Sequence, residues 1–215
     1  MCIRDRIQGL YAITPSGLEE NDLLTKTEVL LKEGIKLIQY RDKILDKKTL
    51  QEKAHALLKL TKKYGAKLVI NDHVEICLEI SADGFHLGLE DYSSEGNVDL
   101  LKKNKEFISK NLICGLSCKW NKELVVNPPE NEIKWTYLAV GSFYPSNTKS
   151  TIPETNENVK RKFLSYTDKP LVAIGGINKK NIGEVRSLGY SCFALSEALF
   201  INPKHVLNEY KLSLI

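Results

Sequence analysis

The feature that most restricts this chain is an alternation that begins at Gly9 and continues through most of the sequence. Short runs rich in Val, Ile, Leu and Tyr are separated by longer, charged, amphipathic stretches. Eight strand-like runs can be read, at 10–14, 36–40, 67–71, 84–87, 112–117, 137–142, 171–175 and 191–196. Helix-like segments lie between them at about 23–33, 47–64, 73–80, 97–104, 157–166, 179–188 and 203–213. The clearest is 47–64, where Leu50, Ala54, Leu57, Leu58 and Thr61 share one helical face. Gly34, Gly65 and Gly189 stand where C-terminal caps would be. The weakest stretch is 119–134, where Pro128 and Pro129 leave room for one short helix at most.

Strands joined by crossover helices pair in parallel, and eight of them without a long linker predict an α/β protein with a single (β/α)8 TIM barrel. Dividing 215 residues by eight leaves about 27 per unit, enough for one strand, one helix and two short loops. An open doubly wound sheet is the competing arrangement. The barrel occupies residues 9–215, and residues 1–8 form an N-terminal extension. Residues 1–6 have no strand or helix period and read as a cloning, assembly or start-site remnant.

Composition narrows the function classes. Apolar residues make up 42% and charged residues 27%, the balance of one globular domain. No run of roughly 18 apolar residues occurs, and the first residues lack a secretory core, so a cytoplasmic protein is expected. The net charge of +4 comes from scattered lysine pairs without interleaved aromatics, which reads as solvated surface, not a nucleic-acid groove. Five cysteines (Cys2, Cys77, Cys114, Cys118 and Cys192) suit reduced thiols, mostly in apolar segments, and their spacing does not suit zinc.

A barrel carries its chemistry at the C-terminal ends of its strands. After the second strand, Gln39, Arg41 and Lys43 alternate onto one side, forming an anion site or an exposed loop with surface ion pairs. Asp72 and Asp91 follow the third and fourth strands. Two carboxylates there suit Mg²⁺ held jointly with substrate phosphates, although Asp72 could instead cap the next helix. Ser117 ends the fifth strand with no visible base beside it, so it reads as a hydrogen-bonding serine. The sixth strand leads into a hydroxyl-rich loop containing Ser146, Asn147, Thr148 and Lys149, able to grip a second phosphate or carboxylate. Gly175 and Gly176 follow the seventh strand and Leu195 and Ser196 end the eighth, the usual place for a barrel phosphate site. The histidines, His55, His73, His86 and His205, do not converge and read as core or surface residues.

Seven of these segments, in order, resemble the thiamine phosphate synthase family. They are residues 39–43, 70–73, 84–91, 115–117, 143–149, 173–177 and 195–196. The resemblance implies a barrel enzyme joining an aminopyrimidine diphosphate to a thiazole phosphate, plain or carboxylated, with release of diphosphate. By the same resemblance, Gln39, Arg41, Lys43 and Asn71 hold the pyrimidine diphosphate, Ser117 contacts the pyrimidine, and Asp72 and Asp91 ligate Mg²⁺. Ser146, Asn147, Thr148, Lys149, Gly176, Leu195 and Ser196 receive the thiazole phosphate, with Lys149 also near the leaving group. Arg41, Lys43, Lys149 and Ser117 are then the residues expected to serve catalysis. The implied partners are small molecules, with neither nucleic acid nor membrane, and the chain is compatible with a homo-oligomer.

Some positions depart from the family's pattern. Ser142 stands where proline is common, Ser146-Asn147-Thr148 replaces Thr-Pro-Thr, and Ile133-Lys134-Trp135 replaces Gly-Ala-Asp. Two rival readings remain: a thiazole tautomerase of the same superfamily, which has no need of the acid pair, and a non-catalytic barrel that binds thiamine phosphate.

Overall fold

A computed structural model of the chain describes residues 7–129, 133–146, 152–204 and 208–210. Eight strands, β1 (Gly9–Ile13), β2 (Leu37–Tyr40), β3 (Lys67–Asn71), β4 (Gly84–Leu87), β5 (Ile113–Ser117), β6 (Tyr137–Val140), β7 (Leu171–Ile174) and β8 (Cys192–Leu195), close into one barrel in sequence order. Every neighbouring pair is parallel, and β8 returns to β1 through Gly9 opposite Cys192 and Tyr11 opposite Ala194. The open-sheet alternative is excluded by that closure. No helix among the described residues is long and apolar enough to cross a membrane.

Among the described residues, ten helices surround the sheet: α1 (Glu20–Lys32), α2 (Lys47–Lys63), α3 (Val74–Ile80), α4 (Leu89–Tyr92), α5 (Glu95–Lys103), α6 (Lys105–Asn111), α7 (Lys122–Val126), α8 (Glu157–Phe163), α9 (Ile182–Ser187) and α10 (Glu197–Phe200). On α2 the expected stripe of Leu50, Ala54, Leu57, Leu58 and Thr61 is buried, and Asp46 caps its first turn through the Thr49 N–H. Gly34, Gly65 and Gly189 take the positive φ expected of helix-ending residues. The 97–104 segment is longer than its periodicity predicts. It starts at Glu95, breaks at Asn104 and resumes as α6, which has no legible apolar stripe because Ile108 is its single buried residue. The 179–188 segment is shorter, because the Asn178 and Asn181 side chains bond the backbone N–H groups of Lys180 and Asn178 and hold the chain in turns. Much of the 203–213 segment lies outside the described residues.

Strand alternation divides the core in two. Outward residues such as Ile38, Ile70, Phe85, Leu116 and Leu195 pack beneath the helices. Inward residues, including Tyr11, Leu37, Val69, Ile113, Tyr137, Val172 and Cys192, fill the barrel, together with Ile7 from just before β1. Among its described residues, the weak 119–134 region contains only α7. Its neighbours Ile133 and Trp135 are nonetheless buried, and the Trp135 indole N–H donates to the Pro129 carbonyl. The departure from Gly-Ala-Asp is thus absorbed as additional core.

Candidate active site

The barrel interior is not wholly apolar. The Gln39 amide donates to the Tyr11 hydroxyl at 3.0 Å, Tyr11 meets the Tyr137 hydroxyl at 2.9 Å, and Tyr137 meets His86 Nδ1 at 3.0 Å. Burial raises both phenols well above their ordinary pKa, so they remain neutral hydrogen-bonding groups. His86 stacks on the Tyr137 ring with centroids 5.6 Å apart. Gly115 makes room for this arrangement: a Cβ there would lie 2.2 Å from Tyr137 Cζ and 2.5 Å from His86 Nδ1. From sequence alone His86 reads as a core or surface residue, and neither Tyr11 nor Tyr137 stands out. Their shared signal, inward register on three strands, becomes visible only once the strands are paired.

Above this floor, the loop after β2 is braced by the loop after β1. Thr14 Oγ1 accepts from the Arg41 N–H and donates to the Arg41 carbonyl, while Ser16 Oγ accepts from Arg41 Nη1 at 3.3 Å and from the Lys43 N–H at 3.1 Å. Asp42 faces the other way. Its buried carboxylate accepts from the Gly17 and Ile44 N–H groups and locks the two loops together. Gln39, Arg41 and Lys43 therefore follow one side of the chain at increasing height: Gln39 is buried, Arg41 half-buried and Lys43 exposed. Thr14 and Ser16, which brace this loop, carry no signal in the sequence that marks them for that role.

Asp72 and Asp91 meet. Asp91 is within hydrogen-bonding reach of Asp72, and its carboxyl is held above the ordinary carboxylate range by burial and then by the Asp72 charge. The Lys43 ammonium bonds Asp72 directly. Asp72 does not cap α3; it has a φ of 65°, and His73 occupies the cap position without a side-chain bond. His73 pairs instead with Glu75, which this bond lowers to about pKa 2. Beside the acids lies an open groove of about 460 Å³, lined by Lys47, Glu75, Ser94, Asn97 and Leu100 among others.

The described residues contain no group of three or more His, Cys, Asp or Glu side chains placed to ligate a metal. Two hard carboxylates that repel one another and draw in an ammonium nevertheless fit Mg²⁺, which commonly takes one or two protein carboxylates and completes its shell with phosphates and water.

On the opposite rim, the β7 loop packs against the start of the β6–α8 loop. A Cβ on Gly175 would strike Ser142 Oγ at 2.1 Å, and one on Gly176 the Pro145 carbonyl at 2.4 Å. Both glycines have positive φ, so this backbone contact explains them before any phosphate is considered. The Trp120 indole N–H anchors the loop by donating to the Ser142 carbonyl at 2.9 Å. Ser146 is half-buried at the end of this described stretch; Asn147, Thr148 and Lys149 lie outside the described residues. Ser117 and Asn71 end their strands half-buried on inward register, and Ser196 follows β8 at the same rim. Leu195 ends β8 beside Ser196. Its side chain is buried in the core between sheet and helices, so only its backbone is available to a ligand.

Comparison with known proteins settles the lineage. The sequence profile of the family described as thiamine monophosphate synthase matches residues 10–199. The chain belongs to the thiamine monophosphate synthase family. Among relatives of this synthase family, the thiamine-phosphate synthase of Nitrosospira multiformis is 36% identical over 198 residues, 92% of this chain and 80% of that protein. The Dictyoglomus turgidum thiamine-phosphate synthase is 35% identical, covering 85% and 82% respectively. The solved thiamine phosphate pyrophosphorylase from Pyrococcus furiosus superposes with a TM-score of 0.76 over the whole of both chains at 27% identity.

Proposed function

We propose that this family member joins an aminopyrimidine diphosphate to a thiazole phosphate, forming thiamine phosphate and releasing diphosphate, with Mg²⁺ as cofactor. The observation that carries the reading is the Lys43 ammonium bonded to Asp72, whose charge acts on Asp91, with Arg41 held in the same loop as Lys43 by Ser16. Negative charge grows on the departing diphosphate, and fixed cations stabilise it without needing a strong general base. Arg41, braced by Ser16, and Lys43 bind and neutralise the leaving group. Asp72 and Asp91 would hold Mg²⁺, which would supply further neutralisation of the leaving group's charge. Gln39, oriented by Tyr11, presents its amide toward the pyrimidine from below, and Asn71 and Ser117 add polar contacts from neighbouring strand ends. Ser146, Asn147, Thr148, Lys149, Gly176, the Leu195 backbone and Ser196 are the proposed thiazole-phosphate side, with Lys149 also reaching the leaving group. The thiazole nitrogen supplies its own electron pair, so the chain has only to orient it. The four described cysteines are free and buried, which supports a reducing, cytoplasmic setting.

The test mixes purified chain, both substrates and Mg²⁺ and measures thiamine phosphate. Product should form, cease on chelation of the metal, and cease in a folded Asp91→Ala variant. Arg41→Ala should raise KM chiefly for the pyrimidine diphosphate. Ligand binding without product would instead favour a non-catalytic barrel.

A further inference from the structure

We propose that Asn97 is a positioning residue for the acid pair, its side-chain amide setting the geometry at which Asp72 and Asp91 receive a divalent cation. The inference rests on the cation role given to those carboxylates above. Asn97 lies in the first turn of α5, is 8% exposed, and takes no part in the catalytic set. Its Nδ2 donates to the Asp91 carbonyl at 2.7 Å and to the Asp72 carbonyl at 3.3 Å. Both amide hydrogens are therefore committed, one to the backbone of each acid.

Three features make this bridge consequential. The acids sit on separate segments, Asp72 in the loop after β3 and Asp91 within α4, and their like charges repel. Asp72 stands at positive φ, an uncommon conformation for a residue with a side chain, and the Asn97 bond restrains its carbonyl. Asp91 has other local support, since Ser94 Oγ also donates to its carbonyl at 2.9 Å; the Asp72 side is where the amide matters more. The chemistry also specifies the residue type. A carboxylate at position 97 would face two carbonyl oxygens with no hydrogen to offer and would add a third negative charge. A hydrocarbon would fill the space but release both segments. Groups that orient metal ligands typically matter by about 10–100-fold in metal affinity.

The test uses the full chain with Mn²⁺ and inorganic diphosphate, reading free Mn²⁺ by electron paramagnetic resonance. Asn97→Ala and Asn97→Leu should weaken Mn²⁺ binding by on the order of 10–100-fold, with circular dichroism confirming the fold. Leu preserves buried volume, so it remains informative should Ala unfold. On an Asp72→Asn background, Asn97→Leu should cause little further loss, because the ligand it positions has already been altered. A folded Asn97→Leu chain with Mn²⁺ affinity within twofold of the parent would overturn the proposal, as would an undiminished effect on the Asp72→Asn background. Failure of the parent chain itself to bind Mn²⁺ with diphosphate would overturn the cation reading as well, which separates the two outcomes.

Discussion

Gly115→Ala tests how tightly the polar floor of the barrel is packed. The added Cβ would lie 2.2 Å from Tyr137 Cζ, 2.3 Å from its hydroxyl and 2.5 Å from His86 Nδ1. Ordinary carbon contacts begin near 3.5 Å, so the ring must retreat by more than about 1 Å inside a filled barrel. Neither residue can swing into solvent, because Tyr137 is fully buried and His86 is 8% exposed. Overpacking of this kind costs about 1–3 kcal/mol. Displacing Tyr137 also disturbs its bonds to Tyr11 and His86, each worth about 1 kcal/mol. A total near 3 kcal/mol corresponds to a Tm lower by roughly 6–12 °C in a chain of this size. Scanning calorimetry supplies the measurement. The penalty should shrink, without vanishing, on a Tyr137→Leu background, where the ring is gone but His86 remains. A Gly115→Ala chain that melts within about 2 °C of the parent would refute the packing argument, given that sensitivity per kcal/mol.

Other predictions address separate parts of the molecule. The Tyr40 hydroxyl is buried with no hydrogen-bond partner among the described residues, so Tyr40→Phe should leave Tm unchanged or raise it by the equivalent of about 1 kcal/mol; a clear drop would reveal a missing partner. Protons and cations compete for the acid pair, and the Asp91 carboxyl is raised by burial and by Asp72. Its proton persists to higher pH than on an ordinary aspartate, so Mn²⁺ binding should weaken on mild acidification. Asp72→Asn removes the neighbouring charge and should move that decline to lower pH; identical profiles in parent and variant would contradict the coupling. Burial pushes the Cys114, Cys118 and Cys192 thiols up to about 12 and raises Cys77 further. All four should resist Ellman's reagent in the native chain and react in denaturant, and rapid native labelling at any of them, located by mass spectrometry, would show that the barrel wall opens.

The legible parts of this protein were those that depend on local order along the chain. Period-two runs, helical stripes such as that of α2, and glycines at 34, 65 and 189 announce strands, helices and caps, because side-chain direction and backbone freedom are properties of neighbouring residues. Ligand-type residues at successive strand ends were equally visible, since parallel barrels expose those ends on one face. Pairing and approach were not. The meeting of Asp72 with Asp91, the bracing of Arg41 by Ser16, the chain from Gln39 to His86 and the Asn97 bridge all join residues from different segments. Leu195 stands beside Ser196 in sequence yet faces the opposite side of the sheet, and Gly175 and Gly176 prove to accommodate another loop. Sequence order determined which groups reach the barrel mouth. Closure of the sheet, with its fixed register, decided which of them touch, and hydrogen bonds and charge act only at contact distances.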